Sequence, residues 1–162
     1  MKSTVGIYDA HEDALEAIKE LKRSGYSEKQ LSIIGKAELV EDHLNVKSMN
    51  PLKMAGLSVG MVAGSLVGVL TGLGFFAVPG FGFLYGAGAL VGGIGGLDIG
   101  VLGGGIVSVL TMLGIKEDEK VKYEQHLRNG LFIVVAQGTP AEVKGAKEIL
   151  MKHGKHLEVA HH

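Results

Sequence analysis

The sequence predicts an α+β fold: a split ferredoxin-like βαββαβ domain interrupted by a glycine-rich apolar helical hairpin. Three features predict it. Two charged arms, one at each end, both read as strand, helix, strand. Their helices superpose: laying Glu12–Gly25 over Ala141–Gly154 puts Ala14 on Val143, Ala17 on Ala146 and Leu21 on Leu150, with a glycine ending both. Between the arms, from Met54 to Ile115, Asp98 is the only formally charged side chain. These shifts divide the chain into a first arm with linker (1–50), an apolar insertion (51–115) and a second arm (116–162).

In the first arm, Thr4 to Tyr8 (TVGIY) predicts a short strand, and Asp9 with Glu12 three residues on has the spacing of a capping box. The helix that follows runs to Ser24. Ala14, Ala17, Ile18 and Leu21 recur at three and four to give it one apolar face, and Gly25 suits a left-handed cap. Leu31 to Gly35 (LSIIG) predicts the second strand. In the second arm a charged helix is expected from about Glu117 to Arg128, its acidic start matching the helix dipole and Asn129 with Gly130 stopping it. Leu131 to Ala136 (LFIVVA) is an apolar run fit for a central strand. Thr139, Pro140 and Glu142 form a capping box with proline at the first helical position; that helix ends at Gly154, and His156 to Ala160 alternates as a closing strand. Two such units pair as a four-stranded antiparallel sheet with both helices on one face. Both arms then lie on the same side of any membrane.

In the insertion, Met54 to Ala77 is long enough to span, since about 20 apolar residues cross a hydrocarbon core of roughly 30 Å. The return, Phe83 to Leu113, reads as one tilted span or as two shorter helices with Asp98 capping the second. Glycines step by four through both: Gly56, Gly60, Gly64, Gly68 and Gly72, then Gly88, Gly92, Gly96, Gly100 and Gly104. On a helix that step returns nearly to one face, so each ladder would form a smooth groove for close packing with another helix. Pro79 and Gly80 make the hinge, and Phe75, Phe76, Phe81, Phe83 and Tyr85 cluster there as interfacial anchors. Lys47, Lys53, Lys116, Lys120 and Lys122 flank the opposite end, which the positive-inside tendency places in the cytoplasm. The expected partners are a lipid bilayer and further copies of the chain, at a bacterial inner membrane with both arms cytoplasmic. The alternative is a cytoplasmic, soluble homo-oligomer that buries the hairpins in a shared core.

Composition excludes several function classes. A formal charge of −1 with both signs interleaved leaves no basic stripe for nucleic acid. Without cysteine there are no disulfides, thiol nucleophiles or thiolate metal sites. The charged start does not read as a secretory signal peptide. Asp98 is a possible polar site, although a helix N-cap is the favoured role. His153, His156, His161 and His162 are weak candidates for a divalent metal, and an ordinary surface role outweighs it because no acid or cysteine fixes a geometry. Small-ligand or metal sensing by the arms rests on these histidines alone. The chain lacks GxxxxGK[ST], and its glycines repeat at four where a dinucleotide fingerprint would follow a strand. The acidic groups Glu12, Asp13, Glu16 and Glu117, Asp118, Glu119 read as solvated helix starts. No Ser, His and Asp grouping stands out, so no catalytic residue and no cofactor is expected.

The segments VGIYDAHEDALEAIKELKRSGYSEKQLSIIG, AVPGFG at the turn of the glycine-rich block, and LGIKEDEKVKYEQHLRNGLFIVVAQG resemble a bacterial general-stress (heat-induced stress) protein family. The resemblance covers nearly the whole length. It implies a small stress-associated protein with no assigned catalytic activity and no catalytic residues to carry over. Asp98 and the histidine-rich end match nothing in that pattern. The functional expectation is a non-enzymatic, membrane-associated stress module that self-associates through its glycine ladders.

Overall fold

The computed structural model describes residues 2–36, 73–78, 82–88 and 105–161. Along the chain these form β1 (Lys2–Tyr8), α1 (His11–Arg23), β2 (Leu31–Lys36), β3 (Leu73–Val78), β4 (Gly82–Gly88), α2 (Gly105–Met112), α3 (Lys120–Arg128), β5 (Phe132–Gly138), α4 (Pro140–His153) and β6 (Glu158–His161). Short 3-10 turns at Glu28–Gln30 and Glu117–Glu119 precede β2 and α3. The fold is α+β. Its strands make one six-stranded sheet in the order β3-β4-β2-β5-β1-β6, with every neighbouring pair antiparallel.

The central strands are apolar on both faces, and this decides the layering. On one face Tyr8, Leu31, Ile33, Phe132, Val134 and Ala136 pack against Ala14, Ala17, Ile18 and Leu21 of α1 and Ala146 and Leu150 of α4. The residues between them in sequence, Val5, Ile7, Ile34, Ile133 and Val135, point the other way. There they meet Ile106, Val109, Leu110 and Leu113 from α2 and its end, and Tyr123 and Leu127 of α3. The two arm helices, α1 and α4, share one face as the sequence reading expects, and α2 and α3 cover the other. An apolar second face cannot be left in water, and α2 and α3 are what cover it.

The middle of the chain departs most from expectation. Residues 73–78 and 82–88 are strands, not the ends of two long helices. They form a β-hairpin about the Pro79 region that closes at Val78↔Gly82 and adds β4 to the edge of β2. The physical reason is periodicity: a step of four is twice a step of two. Gly82, Gly86 and Gly88 alternate with Phe83, Tyr85 and Ala87, which is the strand period, and aromatic residues favour strands. Gly88, assigned to a helical ladder, instead ends β4 opposite Ser32 with φ of 85°. The return span over Phe83 to Leu113 is also not one helix: its last part is the eight-residue α2, whose buried side chains face the sheet. Among the described residues no helix is long and apolar enough to cross a membrane.

Caps follow local chemistry. α1 starts at His11 with Ala10 as N-cap and no side-chain cap bond, so the Asp9–Glu12 capping box does not form; Asp9 sits one residue too early. Capping boxes do form at Ser27 with Gln30 and at Thr139 with Glu142. α1 ends as expected: Gly25 has φ of 97°, its N–H bonds Lys22 O at 3.0 Å and that of Tyr26 bonds Leu21 O at 3.1 Å. The charged helix begins at Lys120, three residues later than its acidic start suggested, because Glu117–Glu119 is a 3-10 turn.

Candidate functional site

The helix periodicity of the second arm puts Glu142 at the third position of α4, and the β5–α4 junction opens a cleft of about 630 Å³ beside it. Lys2, Lys29, Gln30, Gln137 and Thr139 line the cleft with Glu142. A free helix N-terminus attracts anions, yet here the protein supplies its own. Thr139 donates to Glu142 Oε2 from its N–H and from its hydroxyl, each at 2.7 Å, and Gln30 Nε2 donates to Oε1 at 3.0 Å. These bonds, the Thr139 N–H foremost, hold the Glu142 carboxyl below the usual carboxylate range. A carboxylate stabilised this way is a weak base, so the adjacent Thr139 hydroxyl is not activated as a nucleophile. What the junction does is mechanical. Gln30 and Tyr26 come from the first arm, and the Tyr26 hydroxyl donates to Glu142 O at 2.6 Å. The cleft is a clasp between the arms.

A second polar group sits where α1 meets the end of α4. Lys155 Nζ lies 2.8 Å from Glu16 Oε2 and 3.0 Å from Asp13 Oδ1, and His153 Nε2 is 3.7 Å from Glu16 Oε2. The hydrogen bond from Lys155 lowers the Glu16 carboxyl, and Glu16 with Asp13 pushes the ammonium up to about 12. Behind it Tyr8 is fully buried, its ring 6.2 Å from that of His153, and burial followed by the Asp13 charge raises its phenol well above the ordinary value. Opposite charges here neutralise one another. No acid remains poised against a base.

The candidates singled out in sequence do not converge on one place. His153 ends α4 against Glu16; His156 lies in the loop after it; His161 closes β6 opposite Thr4. Among the described residues no three His, Asp or Glu side chains are grouped to hold a metal ion. Gly56, Gly60, Gly64, Gly68, Gly72, Gly92, Gly96, Gly100, Gly104, Pro79, Gly80, Asp98 and His162 lie outside the described residues. Sequence reasoning missed the Gln30–Glu142 clasp, although Ser27 with Gln30 at capping-box spacing was a signal for its first half.

No curated protein and no solved structure matches the chain. Residues 3–79 match the family model described as the heat-induced stress protein YflT domain. That segment contains β1, α1, β2 and β3, so the match reaches from the first arm into the hairpin at the sheet edge. Over residues 3–79 the chain is thus similar to the heat-induced stress protein YflT domain.

Proposed function

We propose that this is a non-enzymatic, stress-associated module that works by self-assembly, built as a split ferredoxin-like domain whose nearly uncharged middle is shielded by further copies. The strand order β6-β1-β5-β2, with α1 joining β1 to β2 and α4 joining β5 to β6, supports the split-domain reading. One observation carries the choice of assembly over bilayer spanning. The stretch that has Asp98 as its one charge enters the sheet as β3 and β4 and returns to pack on it as α2. Residues 37–72 leave β2 and rejoin the same sheet at β3, so any crossing within them must be even in number. Only the 19 residues Met54 to Gly72 are apolar there, about enough for one crossing. The 16 residues 89–104 are too few for a span and include Asp98. The glycines at Gly56 to Gly72 and Gly92 to Gly104 are assigned to packing between copies.

Fractionation of untagged full-length protein followed by alkaline carbonate extraction tests this, with light scattering on the released material. Release as a defined oligomer without detergent is expected. Retention in the pellet after carbonate overturns assembly in favour of a bilayer, and release as a monomer removes self-assembly.

A further inference from the structure

We infer that β6 and the loop before it, residues 154–161, form a strap that opens and closes on β1 without the rest of the sheet, and that ion pairs hold it shut, so that ionic strength loosens it. β1 is gripped unequally on its two sides. β5 pairs with it over all seven residues, from Lys2↔Gly138 to Tyr8↔Phe132, and Phe132 to Ala136 are buried. β6 pairs with it over four, from Thr4↔His161 to Ile7↔Glu158. No residue of β6 is buried, and of its four only Val159 packs against a core cluster. Leu157, just before them, is 59% exposed. Burial, the dominant favourable term in folding, thus does little to hold this strand.

Charge ties it down from both faces of the sheet. In the loop, Lys155 bridges to Asp13 and Glu16 of α1. In the strand, Glu158 pairs with Lys122 of α3, on the opposite face, and its Oε2 lies 3.9 Å from His126 Nε2. All these side chains are partly exposed, and pairs of that kind are weak singly and screened by salt. Beyond the ladder, the neutral ties are the Leu157 N–H, which donates to Ile7 O at 2.7 Å, and the Thr4 hydroxyl, which donates to Ala160 O at 2.8 Å. The closed state also carries a cost at the root of the strap. Tyr8 Oη, His153 Nδ1 and His156 Nδ1 are buried with no hydrogen-bond partner among the described residues, and the Tyr8 and His153 rings stand 6.2 Å apart. A buried polar atom left unpaired is destabilising, and lifting the strap gives these atoms a route to water. Little burial, screened ties and polar atoms that gain from hydration together define a segment that opens locally. Opening bares the side of β1 along Thr4, Val5 and Ile7, all of which are buried when the strap is closed.

The test is native-state amide exchange on the full chain at one protein concentration, read by NMR for Leu157 to His161 and compared with Phe132 to Val135 of β5. The strap amides are expected to exchange at least about tenfold faster than those of β5, with little dependence on urea below the unfolding range. Raising salt from about 0.01 M to about 1 M shortens the screening length from about 30 Å to about 3 Å, and should speed them a further ~fivefold relative to β5. Lys155→Gln and Lys122→Gln should each speed them at low salt and flatten the salt response. Lys144→Gln makes the same change of charge at an exposed site on α4 and should leave both unchanged. If Leu157 to His161 exchange at the rate of β5 and with its urea dependence, β6 opens only with the whole sheet and the strap is overturned. If they exchange faster while salt and both lysine variants leave them unmoved, ion pairs are not the latch and the control by ionic strength is overturned.

Discussion

Replacing Leu110 by alanine asks whether the apolar block and the charged arms share one core. Leu110 is fully buried beneath α2, in the layer with Ile34, Ile133 and Val135 of the sheet. Truncating a buried leucine costs about 2 to 5 kcal/mol, combining lost burial with the cavity left behind. α2 is only eight residues long and can settle partly into the space, so about 3 kcal/mol is expected. With a urea dependence of about 2 kcal/mol per molar, the unfolding midpoint should fall by about 1.5 M. Val107→Ala on the same helix is the comparison: Val107 is 41% exposed, and its change should stay within about 0.5 kcal/mol. The assay is equilibrium urea unfolding by far-ultraviolet circular dichroism at fixed protein concentration, since assembly would move the midpoint. Equal midpoints for the two variants would refute the packing of α2 on the sheet and return the block to an independent unit.

Three other outcomes are expected. A Cβ added at Gly35 would stand 2.4 Å from Phe132 Cδ1 and 2.6 Å from Cε1, and that ring is buried beside His11, so Gly35→Ala should lower stability by about 1 to 3 kcal/mol in a thermal melt. Thr139→Ala removes the hydroxyl from the α4 capping box and should cost about 1 kcal/mol. It should also raise the Glu142 carboxyl part of the way to its ordinary value, read by NMR titration, because the Thr139 N–H bond remains. A depressed carboxyl stabilises above its unfolded pKa and loses that as pH falls through the folded one, so in the Thr139→Ala protein this contribution should be smaller and its loss complete at a higher pH. Lys155 has the opposite sign: its contribution is complete below the ordinary lysine value of 10.5 and disappears as pH rises through about 12. Glu16→Gln should lower the Lys155 pKa, and salt should narrow the difference because the group is exposed.

The arms are legible from sequence because their signals are local and agree with one another. Ala14, Ala17, Ile18 and Leu21 are all fully buried on α1, and Thr139 with Glu142 caps α4 as its spacing requires. The alignment of the two arm helices also holds in space, since Ala17 and Ala146, and Leu21 and Leu150, share one core layer. Asp9 with Glu12 misled because capping-box spacing does not say where the first helical residue falls, and His11 took that place. The hairpin was illegible for a different reason. Glycine at every fourth residue satisfies a helix face and a strand face alike, and side chains without charge do not reveal which face meets water. Nor does local pattern announce that α2 covers the second face, because that depends on Val5, Ile7, Ile133 and Val135 pointing away from α1. The clasp at Glu142 joins Gln30 across 112 positions of chain, a separation no spacing rule encodes.

The order of strands also sets when the molecule can fold. Among the described residues of 3–79 no strand pairs with another: β1 lies between β5 and β6, β2 between β4 and β5, and β3 against β4. The described strands of that stretch therefore depend on later residues for their pairing partners. Every ladder that β1, β2 and β3 enter among the described residues is completed by residues made later. At roughly 5 to 20 residues per second, a ribosome needs on the order of ten seconds to run from β1 to β5. Throughout that interval α1 has no sheet on which to bury its apolar face. Its pairing partners lie far along the chain, so closure of the sheet belongs to the slow, topology-limited class of folding events. A nascent copy thus passes through a prolonged state with unpaired strands and an uncovered helix, in which it is exposed to aggregation.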